Sequence, residues 1–432
     1  MPIKMKYPII PILCAGAVCL PLLGADWPQF RGPNHDATSP EKIPTQWPPT
    51  GLRQVWKIPL KNGFSSFTLG GGQVYTLVTR DFDGGDQETC LALDAKTGQE
   101  LWAAPMGVGS SKYDGGGDSG AKGNDGGDGA RSTPAYDGGK VYAFSSRLML
   151  KCLNAADGKE VWSCDLMKEH AGRNVHWESG ASPLLDGDLV FVAGGGPGQS
   201  LLAFDKKDGH LVWKGEDDQM TQSTPVAATI LGERQVIFFT QKGLVSVAPK
   251  TGAVLWRYPF RFSGAAGCSP VVSGDIVYCS VSYGIGSGAC KITRAGGAFE
   301  ATEIWRLPGN NDLSSHWSTP VAFNGCLYGI FGQAKFATAP LKCLDLATGE
   351  VKWSKPGFGP GGVNLVDGNL LVLSDVGDLV LVKAAPDAYT ELARAHVLNG
   401  KCWNSVALSN GHIYARSTKE GVNLDLSPNP MN

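Results

Sequence analysis

Short apolar stretches with alternating character recur along the chain, each bounded by glycine and small polar residues. Lys140-Val141-Tyr142-Ala143-Phe144 is a clear example. Such a period-two pattern predicts a β-strand with one face in a core. A second unit follows most of these strands: Ala92-Leu-Asp-Ala-Lys-Thr-Gly-Gln-Glu-Leu-Trp102. Related segments end at Trp162, Trp213, Trp256 and Trp353, while Trp56 and Trp305 keep only the end of the motif. The Asp-x-x-Thr-Gly portion predicts a tight turn in which glycine supplies a positive φ. The tryptophan then falls on the next strand, placed to pack over that turn and against a neighbouring sheet.

A Ser/Thr-Pro unit precedes each strand group: Ser132-Thr133-Pro134, Ser182-Pro183, Ser223-Thr224-Pro225, Ser269-Pro270 and Ser318-Thr319-Pro320. Degenerate copies begin near Ser65-Ser66, Val363-Asn364 and Asn404-Ser405, which makes eight. Each copy reads as a four-stranded antiparallel meander. One such sheet cannot bury both faces alone, so the copies must stack. Eight sheets closed in a ring make an all-β, eight-bladed β-propeller. Trp56 has no blade before it, and the last copy, ending near Asp425-Leu426, lacks a tryptophan strand. The strand around Leu52 to Ile58 is therefore expected to complete the last blade and close the ring. Asp387 to Val397 reads either as a short amphipathic helix or as the fourth strand of blade seven; the register favours strand.

Composition agrees with this reading. Glycine fills 58 of 432 positions, about twice ordinary usage, without the three-residue period of collagen. Charge is nearly balanced, with 38 Lys and Arg against 40 Asp and Glu and no basic block, so a nucleic-acid groove is excluded as a working hypothesis. Lys4 and Lys6, an apolar Tyr7 to Leu23, and Gly24-Ala25 before Asp26 read as a secretory signal over residues 1–25. The alternative is an uncleaved membrane anchor. Neither Cys14 nor Cys19 follows a small residue in a lipoprotein-type site. No later stretch is long and apolar enough for a span, so a periplasmic or secreted protein is expected. The remaining order is an N-terminal arm over 26–50, the propeller over 51–426 and a tail over 427–432. Nine cysteines follow the signal, in no zinc or haem spacing, and they read as small buried residues or one or two disulfides.

The Ala92 to Trp102 unit resembles the tryptophan-docking motif of the pyrroloquinoline-quinone (PQQ) repeat. That repeat builds eight-bladed propellers in quinoprotein alcohol dehydrogenases and in the outer-membrane assembly lipoprotein BamB. Asp26-Trp-Pro-Gln-Phe-Arg-Gly-Pro33, Gly400-Lys-Cys-Trp-Asn404 and Ile413-Tyr-Ala-Arg416 resemble a subgroup of secreted bacterial PQQ-like propellers. The resemblance covers about residues 26 to 426. It implies the fold strongly and an activity weakly, because this architecture hosts both enzymes and scaffolds. The dehydrogenases hold the quinone between a tryptophan and a disulfide of adjacent cysteines, with a calcium ion and an aspartate base. No adjacent cysteines and no motif-matched calcium site occur here. PQQ and calcium therefore enter only with the alternative of a divergent quinoprotein dehydrogenase.

In a propeller the first strand of each blade lines the central channel. Residues just before the Ser/Thr-Pro units are thus candidates for a funnel at one end: Arg131, His176, Trp177, Glu178, Gln222, His316, Trp317, Trp403 and Asn404. They could bind a small polar ligand or an envelope protein, or else cap the core. His176 with Glu178 could act in acid-base chemistry. Residues Gly107 to Ala130 carry Asp114, Asp118, Asp125 and Asp128; they read as a solvated insertion or, alternatively, a calcium loop. No nucleophile elbow, Walker loop or zinc-protease motif is present. The expectation is a non-catalytic exported binding module.

Overall fold

The computed structural model of the chain describes residues 26–49, 51–82, 84–109, 129–309, 311–332 and 338–427. Eight sheets follow one another around a central axis, each with four antiparallel strands, and one of them gains a fifth, parallel strand at Thr38–Ser39. Blade one runs through Thr68–Gly70, Gln73–Phe82, Gly85–Asp94 and Glu100–Gly109. The core lies between neighbouring blades rather than inside any one of them, as apolar faces of successive sheets meet. Among the described residues helix is confined to one short α-helical turn, Leu166–Glu169, and one 3-10 turn, Asn311–Leu313.

Ring closure follows the sequence expectation. Arg53–Pro59 is the outer strand of blade eight, against Glu420–Asp425. Arg53 pairs with Asp425, and Lys57 with Glu420 at 2.9 Å, so charges from both chain ends flank the seam. Glu391–His396 is the fourth strand of blade seven, as the register predicts. The nine cysteines from Cys90 to Cys402 are buried free thiols. The signal segment and the aspartates of the Gly107 to Ala130 loop lie outside the described residues.

Blade seams repeat one geometry. Trp102 Nε1 donates to the Ala155 carbonyl of the next blade at 2.8 Å. Gly158 lies beneath that indole at φ +72°, where an added Cβ would sit 2.7 Å from the ring. Glycine is required there twice over, by the backbone and by the close approach. Trp56, Trp162, Trp213 and Trp305 repeat the arrangement over Ala95, Lys206, Pro249 and Leu346. Trp353 donates to the Ala385 carbonyl and meets Tyr389 edge-on. Trp256 departs from the expectation. It donates to Gln235 Oε1 of its own blade at 2.7 Å. The reason is local: blade five turns through Gly296-Gly297 at the end of a long hairpin and offers no Asp-x-x-Thr-Gly turn.

A bulge sits beside each tryptophan. Ala203 faces Trp213 while Phe204 faces Leu211, which leaves Val212 unpaired. The extra residue turns outward. The same bulge explains why Leu101 and Val161 are exposed apolar residues.

The Ser/Thr-Pro units form an inner belt. Ser66 N donates to Thr133 Oγ1, Thr133 N to Ser182 Oγ, and Ser182 N to Thr224 Oγ1, each at 2.9 Å. Ser269 N donates to Thr319 Oγ1 at 3.0 Å. Inner strands lie too far apart to pair by backbone alone around a ring, and the hydroxyls bridge them. A small β-branched or hydroxymethyl side chain fits the crowded axis and satisfies the buried amide.

Candidate functional site

The residues at 26–39 do not flank the ring; they cross its channel. Leu69 N donates to the Trp27 carbonyl of the arm and Tyr136 N to that of Pro28. Gln29 exchanges two hydrogen bonds with the Leu185 backbone, at 3.0 and 3.4 Å. Arg31 reaches across to blade six, where Nη1 and Nη2 donate to the Thr319 and Pro320 carbonyls, both at 2.9 Å. It also donates to the His35 and Asp36 carbonyls of the arm itself. Thr38–Ser39 then pairs in parallel with the inner strand of blade seven. One short segment thus touches blades one, two, three, six and seven at the same end of the channel. Burial lowers the Arg31 guanidinium to about 10, partly offset by Asp36.

Above this plug the channel is a blind cup of about 290 Å³. Phe30 and Arg31 lie at its floor, the belt hydroxyls Ser66, Thr133, Thr224 and Thr319 in its wall, and aromatic residues at its rim. Seven of the nine sequence candidates line it: Arg131, Trp177, Gln222, His316, Trp317, Trp403 and Asn404. His176 does not; it is exposed and touches Trp177 edge-on at 5.0 Å. Glu178 also turns away, toward Arg147 at 3.4 Å. Its φ of +58° redirects the side chain from the wall. The acid-base pairing of His176 with Glu178 thus has no place in the cup.

The rim is asymmetric. Phe64 stacks on Trp403 with centroids 5.0 Å apart, Trp403 meets Trp317 at 4.7 Å, and His316 stands on Trp317 at 4.3 Å. Tyr283 closes this arc 5.1 Å from His316. Arg131 and Gln222 occupy the opposite side. The Arg131 guanidinium donates to the Trp177 carbonyl, and its charge favours the ionised form of the buried Glu88 carboxyl. Burial raises that carboxyl above its ordinary range, Ser146 opposing the shift through its hydrogen bonds. Arg416, fully buried, donates to the Lys61, Gly63 and Leu77 carbonyls and to Thr76 Oγ1, and so pins the turn that carries Phe64.

Several lining groups have unspent polar atoms. Trp317 Nε1 donates to the Pro360 carbonyl at 3.0 Å. By contrast, Trp403 Nε1, Gln222 Nε2, His316 Nδ1 and both amide atoms of Asn404 are buried without a protein partner among the described residues. Desolvation lowers His316 to about 4, so its ring is neutral at physiological pH.

Phe30, Arg31, Phe64 and Tyr283 escaped the sequence reading. A signal for Phe64 was present: it precedes Ser65 as Trp317 precedes Ser318. Nothing local marks Arg31 or Tyr283, which reach the cup through a chain crossing and a loop. Among the described residues the carboxylate and imidazole groups close enough to share a cation are Asp205, Asp208 and His210 on an exposed turn. Their oxygens already accept from Lys207 N and His210 N, which is ordinary turn chemistry.

The family model for the outer membrane protein assembly factor BamB matches residues 86–355. BamB of Salmonella typhimurium is 28% identical over 290 residues, covering 63% of this chain and 68% of its own. The crystal structure of BamB from Moraxella catarrhalis superimposes with a TM-score of 0.58 at 16% identity, over 88% of this chain and 99% of that one. The quinohemoprotein alcohol dehydrogenase of Comamonas testosteroni gives 0.63 at 14% identity, over 94% and 82%. At those identities the two structures speak for the fold alone.

Proposed function

Because the chain belongs to the family of the outer membrane protein assembly factor BamB, a PQQ-type repeat propeller, we propose that it is a non-catalytic binding module of the cell envelope. Its ligand seat is the plugged cup. The observation that carries this reading is the contrast between a channel closed at one end by a segment hydrogen-bonded to five blades and a cup lined by side chains whose polar atoms are buried without a partner among the described residues. A buried polar group without a partner costs about 1–3 kcal/mol, and a ligand that supplies the partner recovers it. The sequence offers neither the adjacent cysteines nor a motif-matched calcium site that the dehydrogenase resemblance would require.

Native mass spectrometry of the protein purified gently from envelope extracts tests the seat. A retained small-molecule adduct that is lost in Trp403→Ala is the expected result. A bare mass for both proteins, with identical co-purifying chains, would count against the cup as the seat. Excess PQQ with calcium should leave the melting temperature unchanged, since a native-state ligand must raise it. A rise accompanied by dye-linked alcohol oxidation would replace this reading with the dehydrogenase.

A further inference from the structure

We infer that the cup takes a neutral polyhydroxylated ring, a saccharide unit of a glycan; the inference rests on the cup being the ligand seat. Three observations converge on that chemistry. First, the wall formed by Trp403, Trp317 and His316 is a continuous arc of rings with centroids 4.3 to 4.7 Å apart. Such a surface suits the apolar C–H faces of a sugar ring, which bury area without asking for charge.

Second, the unspent atoms are of mixed kind. Asn404 is 7% exposed, and its amide donor and acceptor are both buried and unpartnered among the described residues. Gln222 Nε2 and Trp403 Nε1 are donors, and His316 Nδ1 takes either role with its tautomer. A carboxylate or phosphate would satisfy donors only, and an ammonium acceptors only. A hydroxyl is donor and acceptor at once, and a pair of neighbouring hydroxyls matches an amide edge.

Third, the charges in the lining are already engaged. Arg31 spends its donors on four backbone carbonyls. Arg131 donates to the Trp177 carbonyl and interacts electrostatically with the Glu88 carboxyl. Among the described residues no carboxylate lines the cup to hold a cation. A neutral ligand leaves these arrangements intact, whereas an ionic one would have to displace them.

The test uses the purified full chain with four probes: cellotetraose, chitotetraose, tetra-alanine and PQQ. Tryptophan emission and melting temperature are read across a titration of each. Saturable binding of at least one tetrasaccharide, weakened at least tenfold in Asn404→Ala, is the expected result. That variant must melt within a few degrees of the parent; Gln222→Leu serves as the second variant if it does not. Binding of tetra-alanine or PQQ alone, lost in the same variant, would overturn the saccharide and keep the cup. Tetrasaccharide binding unchanged in both variants would overturn both, and binding of no probe would overturn the saccharide.

Discussion

The two ends of the channel are built from similar residues and solve opposite problems. At the plugged end Trp27, Gln29, Arg31 and His35 are all at least nine-tenths buried. Arg31 and Gln29 spend their side-chain groups on backbone partners. At the open end Trp403, His316, Gln222 and Asn404 carry the same kinds of side chain and leave atoms unspent. A side-chain inventory does not separate the ends; hydrogen-bond satisfaction does. Buried polar groups that are fully bonded stabilise one structure, while those left open store a cost that a ligand can relieve.

The plugged end should break most severely. Arg31→Met keeps the alkyl packing but strips four carbonyls of their donor. At about 1–3 kcal/mol for each buried group left bare, a loss of about 4–6 kcal/mol is expected in urea denaturation. A loss below about 1 kcal/mol would mean that water replaces the guanidinium freely, and the plug would then be no more committed than the cup.

A seam remote from both ends calibrates the scale. Trp102→Ala removes an indole that bonds Ala155 and covers Gly158. The expected cost is about 3–5 kcal/mol, as for other large core truncations. Ligand binding per folded molecule should not change. A cost under about 1 kcal/mol would remove the docking role from this repeat.

This part of the molecule was legible from sequence, because the Asp-x-x-Thr-Gly-x-x-apolar-Trp register repeats and each copy can be checked against the others. Trp256 was misjudged because its partner turn belongs to the next blade, where Gly296-Gly297 replaced it. The rim was legible in part for the same reason: a fixed offset from the Ser/Thr-Pro units finds Trp177, Trp317 and Trp403. It also pointed to His176 and Glu178, which lie within the loop but face elsewhere. The plug was not legible as a plug. Asp26 to Pro33 contacts blades far away in sequence, and no local pattern encodes a chain crossing.

Acid should weaken the plug. Burial lowers His35 to about 4; Arg234 and Arg31 push in the same direction and Asp186 opposes them. An unfolded histidine titrates near 6.5, so below that pH the unfolded chain binds a proton that the folded chain refuses. Stability is unaffected above about pH 6.5 and falls as pH drops toward about 4, by up to about 3 kcal/mol for this residue. His316 shifts in the same direction for the same cause and adds to the slope. His35→Gln should flatten the stability profile between pH 6.5 and 4 in denaturation curves taken at each pH. An unchanged slope would show that water already reaches the plug.

The smallest change in stability carries the sharpest contrast. Asn404→Ala removes two buried amide atoms that no protein group satisfies. Deleting a bonded residue exposes its partners, but here there are none to expose. The lost packing of one small side chain is opposed by relief of the unsatisfied amide, so stability should shift by no more than about 0.5 kcal/mol in either direction. Binding in the cup should fall at least tenfold in the same protein. A loss of about 2 kcal/mol with unchanged binding would mean that Asn404 is structural like Arg31, and the two ends of the channel would then differ only in shape.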